Sequence, residues 1–446
     1  MQSDTSLFGL RGFLIDAPEF GTLRGRPNGA VIIENGKVSE AGDYDDLRRL
    51  RHASSIHWID RKPAAIFPGL IDCHTHLPQY SAVARGESEL LPWLRQHIFP
   101  VERDFTGPKA RAEAPQFFHE LVRNGTTTVM AYAAIYEDSC DVGFEAARES
   151  GIRAIIGKMM MDLRSYGQLQ PKKVRSISLL ESERLCRKWH RAEDGRLEYA
   201  FSPRFAVACS EKMMRGAAEL AARLEAYLQT HLAENREELE KVHHLYMSAS
   251  DYTHVYEKCG LLTAHTMLGH CIHLTPREIS AIAAAQSSVA HCPSSNLFLG
   301  SGLMKLDQLL KAGINVGLGS DVAGGPELNM WQVMRAAIEV QKARSAYEPN
   351  LRPLRPSEAF YLATHGGARA LGKAGIIGTL DSGKEADLIV VDLGALIPYA
   401  NHNGLGKLTP EDVVALCIYR AGPQANLETY VRGKCIYRAP SLANAT

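Results

Sequence analysis

No stretch of this sequence approaches the roughly 18 uninterrupted apolar residues that a membrane-crossing helix requires, so no membrane span is expected. Neither sign of charge is in excess: Lys plus Arg and Asp plus Glu number 50 each. Without a basic field there is nothing to hold a phosphate backbone, and nucleic acid is not an expected partner. The nine cysteines are scattered, odd in number and never spaced C-x-x-C. That excludes a disulfide framework and a cysteine zinc knot, and fits reduced thiols. The opening segment MQSDTSLFGLRGFLIDAPEF lacks the basic-then-apolar layout of a secretory leader, so a cytoplasmic address is expected. Low-complexity tracts and solenoid-period repeats are also missing.

What is present is an alternation of short apolar strands and amphipathic helices along 446 residues. Strands are expected over 65–76, 126–135, 153–161, 198–205, 226–234, 266–271, 287–293 and 315–325. Helical patterns cover 109–125, 141–151, 210–226 and 275–286. Asn124-Gly125 and Gly151 stand where helix C-terminal caps are wanted, and Thr275-Pro276 reads as an N-cap followed by proline at the first helical position. Eight strands alternating with helices predict an α/β fold, a (β/α)8 TIM-type barrel. The ends differ. AVIIENGKVSEAG and NLETYVRGKCIYR each read as strand, tight turn, strand. The expected organisation is a barrel over 65–377 and a small β-sandwich domain built from both termini, 1–64 and 378–446.

His74-Thr75-His76 would end the first barrel strand, and residues two apart on a strand face the same way. His231, His270 and Asp321 fall at the ends of the fifth, sixth and eighth expected strands, the C-terminal face where barrel enzymes place their chemistry. Three imidazoles and a carboxylate suit zinc and leave room for a water, although a single histidine at such a place is as readily a hydrogen-bonded core residue. Glu234, three residues after His231, could move protons beside a metal that lowers the pKa of water from 15.7 toward about 7. Its competing reading is the start of the acidic, solvated run ENREELE.

PGLIDCHTHLPQY, LLPWLRQHIFPVE, NGTTTV, SPRFAVACS, THLAENREELE, VAHCPSSN and GLGSDVAGG resemble, in order, the sequence blocks of the amidohydrolase superfamily. IIGTLDSGKEADLIVVD resembles its closing β-domain signature, and HLPQY, SPRF and THLAEN are most similar to members that deaminate guanine. The resemblance implies one metal, zinc with iron as an alternative, held by His74, His76, His231 and Asp321. It implies that His270 orients the reacting groups, that Asp321 receives a proton from the attacking water, and that Glu234 protonates a ring nitrogen. Gln79, Arg204 and Phe205 match residues that bind a purine, and an amide, a guanidinium and an aromatic ring can respectively read and stack on such a ring. Hydrolytic deamination of guanine or a related aminated ring (8-oxoguanine, a pterin, an aminotriazine) is the implied activity, and a homodimer the implied assembly. A catalytically silent scaffold is the alternative of another class, and a cyclic-amide hydrolase a third.

Other signals carry less. Two-metal relatives bridge their ions with a lysine of the fourth strand, where EYAFSPRF has none; Lys158 ends the third strand instead. His291, Cys271 and Cys292 read as packing residues near the rim, and His365 departs from the apolar or small residue expected in that block. GTLDSGK (378–384) has P-loop spacing, but Glu385 follows where Ser or Thr would hold magnesium, so a β-turn is expected. G-x-S-x-G, G-x-G-x-x-G, H-E-x-x-H and the H-x-E with P-C-x-x-C pair of cytidine-type deaminases are absent.

Overall fold

The computed structural model describes residues 7–50, 53–86, 89–163, 171–397 and 407–443. The chain opens with four strands, β1 (Leu7–Glu19), β2 (Thr22–Glu34), β3 (Lys37–Asp43) and β4 (His57–Pro68). Asn35 and Gly36, at φ 51° and 77°, turn β2 onto β3 and pair Glu34 with Lys37. Two successive positive φ values are what the two-residue hairpin requires, and Asn-Gly adopts them at least cost.

Eight parallel strands follow: β5 (Leu70–His76), β6 (Thr126–Ala133), β7 (Arg153–Met160), β8 (Leu197–Pro203), β9 (Tyr227–Leu232), β10 (Thr266–His270), β11 (Ser288–His291) and β12 (Val316–Leu318). Every residue of β5, β6, β7 and β8 is buried, as expected where helices cover one face and the barrel interior the other. The barrel closes where the chain leaving β12 meets β5: Asp321 N–H donates to the His74 carbonyl at 2.8 Å, and Ser320 N–H to Asp72 Oδ1 at 3.0 Å. The intervening helices carry the expected punctuation. Gly151 caps Glu137–Ser150 at φ 80°, the Asn124 side chain donates to the Glu120 carbonyl, and Thr275 and Glu278 cap Pro276–Ala284 reciprocally.

The expected strand over 65–76 is two strands in different sheets. Gly69 separates them; a Cβ there would strike the side chain of Thr127. Residues up to Pro68 stay with the terminal sheet, and those from Leu70 enter the barrel. The terminal sheet is completed by β13 (Leu388–Val391), β14 (Asn426–Val431) and β15 (Lys434–Arg438), in the order β15-β14-β13-β4-β1-β2-β3. Arg432 and Gly433, at φ 49° and 70°, form its second two-residue hairpin. The ends of the chain therefore meet through β13, which pairs with β4 on one side and β14 on the other. Residues 378–384 form a turn with no helix after it, which removes the phosphate-loop reading. At the bottom of the barrel the buried guanidinium of Arg153, first residue of β7, ties barrel to sheet through Asp387 at 3.1 Å and through Glu385.

Among the described residues no helix is long and apolar enough to cross a membrane. All nine cysteines are unpaired.

Candidate metal centre and substrate cleft

The alternation of side chains on β5 sends His74 and His76 to the same end of the barrel, with ring centroids 5.2 Å apart. The ends of β9, β10 and β12 bring three more groups to them. His76 Nε2 lies 3.1 Å from His231 Nε2 and 3.3 Å from Asp321 Oδ1, and His74 Nε2 lies 3.4 Å from the same oxygen. His270 Nε2 stands 3.7 Å from Asp321 Oδ2 and 3.4 Å from Glu234 Oε2. Gly269 makes room for this: a Cβ there would stand 2.7 Å from His74 Cε1.

Hydrogen bonds fix two of the tautomers. His231 Nδ1 meets the Arg204 carbonyl at 2.6 Å, and a carbonyl only accepts, so Nδ1 carries the proton and Nε2 presents its lone pair. His270 Nδ1 donates in the same way to Asn296 Oδ1 at 2.9 Å. Neither ring nitrogen of His74 has a hydrogen-bond partner among the described residues, although the side chain is buried. Buried imidazole nitrogens normally find partners. Lone pairs of His74, His76 and His231 converging with a carboxylate oxygen are satisfied together by a cation, and the donor set fits a divalent metal. His74, His231 and His270 also cluster tightly enough to bind one, as do His270, Cys292 and Asp321.

The electrostatics point the same way. Burial, helped by the neighbouring imidazoles, holds His231 well below the usual histidine range, and burial lowers His74 to about 4, so both are neutral at pH 7, the form in which an imidazole can bind a metal. Burial opposes ionisation of Asp321, but the imidazoles of His74, His76 and His270 outweigh it and keep the carboxylate charged. Burial likewise opposes a charge on His270, yet the carboxylates of Glu234 and Asp321 leave it raised. Glu234 itself is pushed up by burial to about 7. A carboxylic acid poised near neutrality beside an ionised partner is the pairing that acid–base catalysis uses. His270 and Asp321 also hold positive φ, 67° and 46°, a strained conformation for residues other than glycine that tends to cluster at functional sites. Below them Asp72 accepts from the Ser320 hydroxyl and N–H and from His74 N–H; burial pushes it to about 7 despite these bonds.

Above the cluster lies a narrow cleft lined by His76, His231, Glu234, His270 and Asp321 together with Gln79, Arg204 and Phe205. All eight residues singled out from sequence at this cleft thus share one wall or another of it, and His74 sits just beneath. Glu234 accepts from the Ser301 hydroxyl at 3.2 Å and begins no solvated helix; its own N–H is held by Glu238. Sequence reasoning missed Glu102, Asn296, Ser301 and the apolar residues Trp93, Leu94 and Leu299 of the cleft wall. Glu102 and Asn296 lie in the LLPWLRQHIFPVE and VAHCPSSN blocks, which was the available signal. Lys158 points away from the centre, donating to Ser178 and the Ile135 carbonyl. Cys271 and His291 are buried outside the cleft lining, and His365 packs edge-on against Tyr361.

A closed eight-stranded α/β barrel with histidines and carboxylates gathered at its C-terminal strand ends defines a metal-dependent hydrolase class. The chain belongs to the amidohydrolase family, whose model matches residues 65–426. It is 34% identical to the guanine deaminase of Escherichia coli strain K12 over 98% of this chain and 99% of that one. In structure it is similar to a guanine deaminase from C. acetobutylicum solved with guanine in its active site, at TM-score 0.90 and 29% identity over 97% of this chain and 100% of that one. It is similar also to an adenosine deaminase from Xanthomonas campestris with bound zinc, at TM-score 0.81 and 25% identity over 96% and 92% of the two chains.

Proposed function

We propose that this protein is a guanine deaminase, converting guanine and water to xanthine and ammonia. The observation that carries the reading is the shared cleft. It joins a metal-ready donor cluster, an acid poised at about 7 and a Gln79–Arg204–Phe205 wall suited to a flat ring with a lactam edge.

His74, His76, His231 and Asp321 would hold one ion, zinc by the chemistry of the donors, with iron also acceptable to them. When bound, that ion supplies a water acidified enough to attack carbon at neutral pH. The residues do the rest. Phe205 stacks on the purine, and Gln79 and Arg204 engage its N1–H and carbonyl edge. Asp321 takes a proton from the attacking water. Glu234 gives its proton to the ring nitrogen beside the amino-bearing carbon; Asp321 then passes the proton it took from water to the amino group, which leaves as ammonia, while the hydroxyl proton of the attacked carbon returns to Glu234 as the new carbonyl forms. His270, between Glu234 and Asp321, orients both carboxyl groups. The resemblance adds a cytoplasmic homodimer, for which light scattering of the purified protein is the test.

Ammonia release and the ultraviolet change from guanine to xanthine test the activity directly. Turnover lost on chelation and restored by zinc is the expected result. A metal-replete sample that releases no ammonia from guanine refutes the proposal and turns the search to 8-oxoguanine, a pterin or an aminotriazine.

A further inference from the structure

Glu102 takes no part in the chemistry above, yet it is 1% exposed and sits between the two groups that read the substrate. It lies on the short helix Phe99–Asp104, outside the barrel wall. Its Oε1 accepts from Gln79 Nε2 at 2.8 Å, and its Oε2 accepts from Arg204 Nη1. Gln79 comes from the turn after β5 and Arg204 from the residue after β8, so a third element orients both. The Arg204 guanidinium is further seated over the Phe99 ring, 5.1 Å from its centroid.

An ionised carboxylate only accepts hydrogen bonds, whereas a glutamine amide does either, according to which way it is turned. Glu102 therefore takes the nitrogen of Gln79 and leaves Oε1 as the amide atom for the cleft that Gln79 lines. Arg204 is a donor at every nitrogen. We infer that Glu102 is a positioning residue that sets the hydrogen-bond polarity of the substrate wall, acceptor at Gln79 and donor at Arg204. That wall complements a ring with N–H beside C=O. It opposes a ring with a bare nitrogen beside an amino group, because lone pair would face lone pair and donor would face donor. The identity of the ring rests on the proposed function; the polarity does not depend on turnover.

The test is equilibrium binding of hypoxanthine and adenine to metal-replete protein, with guanine turnover measured in parallel. Hypoxanthine carries the N1–H and C6 carbonyl without the amino group the reaction removes, and adenine carries the reversed pattern. Wild type is expected to prefer hypoxanthine by at least about 100-fold, since a site built around substrate hydrogen bonds rejects the mismatched edge strongly. In Glu102→Gln the new amide can donate, Gln79 is free to reverse, and the ratio falls to within about tenfold. Adenine binding should tighten in absolute terms, which a merely loosened structure would not produce. Glu102→Asp keeps an acceptor-only group and should keep the preference even if both ligands bind more weakly.

Removing the carboxylate takes away the anion that Glu102 places against the buried Arg204 guanidinium, a change that can unfold a protein, so a second variant guards the test. The double variant E102Q/R204M removes that charge as well and should bind adenine at least as well as hypoxanthine. Retention of the wild-type ratio in E102Q or in the double variant overturns the inference, as does an E102D ratio as relaxed as that of E102Q. Wild type that binds with the expected preference but releases no ammonia from guanine refutes the proposed function alone.

Discussion

Replacing Glu234 by Gln keeps the shape of the side chain and an oxygen for the Ser301 hydroxyl, and places an NH2 group where it can donate to His270 Nε2. Only the titratable proton is lost. Burial raises the Glu234 carboxyl from 4.5 to about 7 in the folded protein. A group raised in this way binds its proton more tightly folded than unfolded, so it costs nothing below pH 4.5. It then drains stability as pH climbs through the window up to about 7, and the full penalty stands above that. At about 1.4 kcal/mol per unit the penalty at pH 8 is on the order of 3 kcal/mol. Metal-free E234Q should therefore be more stable than metal-free wild type at pH 8, by a margin that shrinks to nothing near pH 4.5.

Activity should move the other way. Without the proton donor, turnover of guanine by the zinc-loaded variant should fall by about 10²–10⁴-fold. Paired denaturant melts of both proteins at pH 5 and pH 8 after chelation, with ammonia release after zinc loading, read both effects from the same preparations. Equal stability of the two proteins at pH 8 would show that Glu234 is not held in an unfavourable charged state. Undiminished turnover by E234Q would remove it from the proton path. Opposite movement of stability and activity is the signature of a site that holds an ionisable group against its preference.

His231→Ala removes a neutral donor from the centre of the cluster and should leave less than a tenth of the wild-type zinc after dialysis, with turnover lost in proportion, by metal analysis of the purified variant. Phe205→Ala removes the stacking surface and should raise the KM for guanine by roughly tenfold or more while kcat changes less, because stacking serves bound substrate and transition state alike. Arg153→Met leaves Asp387 buried without its cation at the foot of the barrel and should destabilise the protein by about 3 kcal/mol in denaturant melts. That variant should keep the wild-type KM, since β7 begins at the end of the barrel away from the cleft.

The barrel was legible because its strands are apolar, short and regularly interleaved with capped helices, and the donors because each falls at a strand end. Where the reading failed, the information was not local. Residues 65–76 form one continuous buried run, and only Gly69, crowded by Thr127 from another strand, divides it between two sheets. The sequence pattern assigns residues 90–104 no strand or helix; the segment folds into short helical turns, one of them π-helical, that carry Trp93 and Leu94 to the cleft and Glu102 to its back. Glu102 meets Arg204 across 102 positions and Asn296 meets His270 across 26, so no spacing rule announces either pair. Glu234 shows the converse: its acidic neighbours made a solvated helix plausible, but the helix begins only at Arg236, capped by Asn235, and leaves Glu234 inside.

Under the proposed function, Arg204 would keep metal and substrate in register. Its carbonyl accepts from both the backbone N–H of His231, at 3.1 Å, and the ring Nδ1–H, at 2.6 Å, while its side chain faces the cleft on the other side. In the proposed function, the imidazole that would present a lone pair to the ion and the guanidinium that would engage the far edge of the ring are thus referred to a single residue at the end of β8. The span between attacked carbon and recognised edge is then set by covalent geometry and one strand pairing, rather than by a loop whose position varies. Since a 1 Å misplacement of reacting groups can cost about 100-fold in rate, that arrangement accounts for why recognition is built into a strand end beside the donors. In the inference drawn above, Glu102 would complete it from outside the barrel, accepting from both the guanidinium and the Gln79 amide and so setting how they face the ring.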